Sequence, residues 1–163
     1  MMFFRQTMQT AVVCLAGLLL MVPLAANETS EPNARLSISA GKVHRLAIQV
    51  NSAEPVALNL ALNNATNVEE YYKNRGEKVE IEVVVFGAGL HMLREDTSPV
   101  KDRIKTIAET KPSISFQACS NTQENMHKAE NKEIRLVSQA KLVKSGVVRL
   151  MELQEQGWSY IRP

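Results

Sequence analysis

The sequence predicts an α/β domain built on a mostly parallel sheet of about five strands, with helices on both faces. Three observations lead there. Short runs rich in β-branched residues alternate with stretches of helical apolar period. One run, residues 79–86 (VEIEVVVF), becomes continuously apolar, as a strand covered on both faces does. Glycines and prolines punctuate the joints between runs, and no internal repeat interrupts the order.

The elements follow in turn. A first strand is expected over residues 44–50 (HRLAIQV), after which Asn51 and Ser52 offer capping oxygens to a helix with Pro55 in its first turn. Leu58, Ala61, Leu62, Ala65, Val68 and Tyr72 keep a helical period up to a stop at Gly76. The strand over residues 79–86 ends at Gly87-Ala88-Gly89, and a short helical piece carries Leu90, Met92 and Leu93. Pro99 suits the first turn of a helix reaching about Glu109 with Val100, Ile104, Ile107 and Ala108 inward, and Pro112 separates it from a buried strand at 113–118. Cys119 follows, at the polar helix start Ser120-Asn121-Thr122, with a short helix over 122–128. Residues 134–137 read as a fourth strand. Residues 145–156 read as a helix burying Val147, Val148, Met151 and Leu153, stopped by Gly157, and residues 158–161 as an edge strand.

At the amino end, Arg5 precedes an apolar stretch over residues 11–22, then Pro23 and the small pair Ala25-Ala26. This is the pattern of a cleavable secretory signal over residues 1–26. The stretch is too short for a bilayer core of about 30 Å, which takes about 20 apolar residues. The expectation is a soluble periplasmic protein, free of the membrane after cleavage, with a flexible polar lead-in at 27–41 and one folded domain at 42–163. Cleavage removes Arg5 and Cys14. The remaining chain is near neutral, as the whole chain is with 19 basic against 17 acidic side chains. Basic residues are interspersed with acids, so no nucleic-acid partner is expected.

Loss of Cys14 leaves Cys119 as the single cysteine, which cannot close an intramolecular disulfide. In a parallel sheet, ligands gather outside the carboxyl ends of the strands, where Asn51-Ser52, Gly87-Ala88-Gly89 and Cys119-Ser120-Asn121-Thr122 fall. Free N–H groups at a helix start favour a thiolate, so Cys119 is either a reactive thiol or a buried strand-end cysteine, and the residues alone leave both open. Gly87 and Gly89 allow backbone N–H groups to approach an anion, or simply make a tight turn. They do not form a dinucleotide fingerprint, because Met92 occupies the third glycine position. His44, His91 and His127 show no ligand spacing, so no metal is expected, and nothing points to a cofactor.

Four segments carry a resemblance: LNLALNNATN (58–67), VEIEVVVFGAGLHML (79–93), SFQACSNT (115–122) and LMELQEQGWSYIRP (150–163). In this order they resemble the DsrE/DsrF-like family, including its small YchN-type members, over about residues 44–163. The resemblance implies a three-layer α/β/α domain of flavodoxin or Rossmann-like type that assembles into homotrimers or hexamers. It also implies sulfur transfer through a cysteine that carries a persulfide, at the position of Cys119. Asn64, Gly87, Gly89, Asn121 and Thr122 fall in the recurrent motifs and are expected to shape the pocket. The well-studied relatives act in the cytoplasm beside relay partners, whereas this chain carries an export pattern. Periplasmic sulfur metabolism is therefore the expectation, with donor and acceptor undetermined. The competing readings are a non-catalytic oligomeric binding module with a structural Cys119, and a thiol redox sensor acting through an intermolecular disulfide.

Overall fold

The computed structural model describes residues 41–163, and the expected signal and nearly all of the lead-in lie outside them. Ten elements follow in order: β1 (Val43–Val50), α1 (Pro55–Asn74), β2 (Lys78–Val85), a 3-10 helix η1 (Gly87–Leu93), α2 (Lys101–Thr110), β3 (Ile114–Cys119), α3 (Ser120–Glu130), β4 (Ala140–Val143), α4 (Gly146–Glu155) and β5 (Ser159–Ile161). The strands form one sheet in the order β4-β3-β2-β1-β5, with every neighbour pair parallel. Among the described residues no helix is long and apolar enough to cross a membrane.

The order explains the layers. The chain steps from β1 through β2 and β3 to β4 in one direction, then α4 carries it back past the whole sheet to set β5 against β1. Right-handed crossovers in opposite directions place their helices on opposite faces. The main core accordingly joins Ile48, Val83 and Phe116 of the sheet to Leu58 and Leu62 of α1, Ile104 and Ile107 of α2, and Met126 of α3. On the other face, among the described residues, α4 packs down, with Leu150 and Leu153 against Ala47 and Val84.

Three local expectations are corrected. Residues 134–137 are not a strand. Ile134 and Val137 are buried, but they lie in a loop held by one antiparallel bridge from Leu136 to Arg94. The fourth strand is Ala140–Val143, an edge strand whose exposed Lys141 and Leu142 hide its pattern. In α4 the inward residues are Gly146, Leu150 and Leu153, while Val147, Val148 and Met151 are about half exposed. Asn51 and Ser52 do not cap α1. The cap position is Glu54, with Pro55 following, and the Ser52 hydroxyl accepts the Glu54 N–H instead.

Candidate functional site

Cys119 ends β3 and occupies the N-cap position of α3. Its neighbour Ala118 packs into the main core, so alternation along the strand turns the Cys119 side chain to the α4 face. The β3 connection runs to the α3 face and the β4 connection to the α4 face. Adjacent strands whose connections diverge leave a crevice between their carboxyl ends, the usual place for a ligand in an open parallel sheet. Cys119 lies at that crevice, with Val143 of β4 as its register partner.

Side-chain and backbone bonds close the crevice rim. Ser120 Oγ donates to the Val143 carbonyl at 3.1 Å, and the Asn121 N–H donates to the Lys144 carbonyl at 3.3 Å. From the β2 side, the Gly87 N–H donates to Thr122 Oγ1 at 3.0 Å. Gly87 has φ +55, a conformation glycine adopts without strain, and this turns its N–H toward α3. Gly89 seats the same loop on β1 so closely that a Cβ there would stand 2.3 Å from the Val50 carbonyl oxygen.

Cys119 is 4% exposed. Burial, the largest single influence, pushes its thiol up. The Thr122 hydroxyl and the backbone N–H groups of Gly146, Thr122 and Asn121 pull it down, and together they outweigh burial, so the thiol sits below its ordinary value. The sulfur closes no cap hydrogen bond with α3, so these groups act on it as converging dipoles. They come from two helix starts, α3 and α4, and such an arrangement favours the thiolate, the nucleophilic form of cysteine.

The structure thus brings together Cys119, Asn121, Thr122 and Gly87, with Gly89 positioning the loop. Asn64 lies nine residues into α1, about 13 Å along the axis from the helix start, and is not part of the cluster. His91 is half-buried in η1, where its Nδ1 pairs with Thr97 Oγ1 at 2.8 Å. Among the described residues no group of three or more His, Cys, Asp or Glu side chains is arranged to hold a metal ion. Sequence reasoning missed Gly146 and Phe86. A Cβ on Gly146 would stand 2.8 Å from Phe86 Cδ1, so any larger residue there would have to push that side chain aside. The available signal was the pair Ser145-Gly146, a cap residue and a glycine just after a strand.

No family model and no curated protein matches the chain. A solved structure does: MTH1491 from Methanobacterium thermoautotrophicum, a protein of unknown function, with 28% identity and a TM-score of 0.63. The match covers 74% of this chain and 99% of that one, which accords with the α/β fold described above.

Proposed function

We propose that this is a periplasmic, DsrE-like sulfur-binding or sulfur-transfer protein in which Cys119 accepts sulfur as a persulfide. The observation that carries the reading is the convergence of N–H groups from two helix starts, and of the Thr122 hydroxyl, on a buried sulfur whose pKa falls despite burial. A cysteine kept only for packing has no need of such donors, and burial alone pushes its thiol up. The placement at the β3–β4 crevice adds to this, as do the ordered motif resemblance and the export pattern.

In the reaction, the Cys119 thiolate attacks the outer sulfur of a donor persulfide, R–S–S⁻. A new Sγ–S bond forms, the donor S–S bond breaks, and R–S⁻ leaves with the electron pair. Charge balances and no external oxidant is consumed. The same donors that hold the thiolate then hold the anionic persulfide. Assembly into a homotrimer or hexamer belongs to the same proposal.

Mass spectrometry tests it. Protein spanning residues 27–163, incubated with polysulfide, should gain sulfur, and Cys119→Ser should gain none. Equal loading of both ends the proposal. The 4% exposure of Cys119 favours one rival, a binding module with a structural cysteine. That rival predicts a thiol inert to alkylation in the native state.

A further inference from the structure

We infer that α3 opens as a local unit while the sheet stays folded, and that this opening admits reagents to Cys119. The inference concerns access alone and holds whatever the thiol carries.

The four α-helices of the described residues differ in what they bury. α1 sinks Leu58, Ala61, Leu62 and Ala65, α2 sinks Ile104 and Ile107, and α4 sinks Leu150 and Leu153, whereas α3 has no buried residue. From α3 the main core receives one part-buried side chain, Met126. The helix is 11 residues long, SNTQENMHKAE, and its Ser, Asn, Thr and His residues favour helix weakly. Isolated helices shorter than about 12–15 residues are marginal, so α3 depends on its attachments.

Those attachments are mostly polar. Gln123 Nε2 donates to the Ile134 carbonyl at 2.7 Å, His127 Nδ1 donates to the Lys132 carbonyl at 2.6 Å, and Glu130 accepts two bonds from Arg94 at 2.5 and 2.8 Å. Arg94 is the latch. It also holds Asp96 at 2.8 and 2.9 Å, so release of Glu130 leaves the buried guanidinium paired, and opening strands no buried charge. Both flanks are fixed: β3 is paired on both sides, and past α3 the buried Ile134 and Val137 and the bridge from Leu136 to Arg94 anchor the loop. The opening unit is therefore α3 itself.

What this unit covers is the sulfur. Cys119 is 4% exposed, and the Thr122 hydroxyl and the N–H groups of Thr122 and Asn121 that close on it all belong to the first turn of α3. The Gly146 N–H comes from α4, which Leu150, Leu153 and the ion pair of Arg149 with Glu82 pin to the sheet. Of the two helices at the sulfur, α3 is the one that yields.

The test reads hydrogen exchange by mass and alkylation of the Cys119 peptide by neutral iodoacetamide, at pH about 9.5, above the ordinary thiol value of about 8.5. In wild type the amides of 124–130 should exchange at least about a hundredfold faster than those of β2. Glu130→Ala, which frees the latch, should speed both α3 exchange and alkylation by about tenfold. Asn125→Ala, an exposed change that favours the helix and keeps the fold should Glu130→Ala lose it, should slow both by about threefold. Lys105→Gly, which weakens the exposed face of α2 instead, should leave both within about twofold. If Lys105→Gly speeds alkylation as much as Glu130→Ala, the sulfur is reached by global unfolding and the inference falls. It falls equally if α3 amides are protected like those of β2, or if the α3 variants change exchange and leave alkylation unmoved.

Discussion

Thr122 has one hydroxyl hydrogen to give, and its oxygen already accepts the Gly87 N–H at 3.0 Å. That acceptance leaves the hydrogen free for the sulfur of Cys119, where the hydroxyl is the foremost of the groups lowering the thiol. Thr122→Val should therefore move the pH midpoint of Cys119 alkylation upward, and Thr122→Ser should restore it. An unchanged midpoint in Thr122→Val assigns the depression to the backbone alone. A second residue acts on stability. Arg94 is 1% exposed and pairs with Asp96 and Glu130, which Lys132 also bridges. Hydrogen bonding to Arg94, first among the causes, holds Glu130 down at about 2 and Asp96 well below the usual carboxylate range. Folded-state values below the unfolded ones mean stability present above the unfolded pKa and lost as pH falls through the folded one. Urea midpoints should thus drop between pH about 4.5 and about 2. Arg94→Met should flatten that acid limb and cost about 3 kcal/mol at neutral pH, the low end for a broken buried pair because both carboxylates reach water.

Among the elements, the turn after β2 depends on backbone closeness. Gly89 faces the Val50 carbonyl, a backbone atom that cannot step aside, whereas Gly146 faces the movable ring of Phe86. Gly89→Ala should cost about 3 kcal/mol and Gly146→Ala about 1 kcal/mol, read from urea unfolding, and equal costs would contradict this geometry. The α4 correction has a related cause. Residues 147, 148 and 151 and residues 146, 150 and 153 both make a helical apolar stripe, so periodicity alone cannot choose the inward one. The fit of Gly146 against Phe86 and the reach of Arg149 to Glu82 on the sheet choose it. The misplaced fourth strand shows the same limit. Ile134 and Val137 are apolar because a loop is buried, while Ala140–Val143 is a strand because β3 has an edge to fill.

For the whole molecule, the two faces of the sheet are unequal. Among the described residues, α1, η1, α2 and α3 cover one face and α4 covers the other, leaving Val147 and Met151 outward at 52% and 54% exposure. Apolar residues so placed support the assembly expected from the resemblance. Light scattering should give a trimer or hexamer for wild type and a smaller species for Val147→Lys combined with Met151→Glu. A monomeric wild type removes the oligomer from the proposal.

The sequence by itself determined the alternation of strands and helices, the parallel sheet, and the address of Cys119 where a buried strand meets a helix start. These are local matters, set by period, turn residues and capping chemistry within a few positions of one another. Asn121, Thr122 and the glycine turn were legible for the same reason, while Asn64, drawn in by resemblance, proved remote. Only the tertiary structure decided what meets the sulfur: the Gly87 N–H acting through Thr122, and the Gly146 N–H from α4, seated against Phe86. Those groups are distant in the chain, and their meeting depends on strand order and crossover direction, which no local pattern encodes.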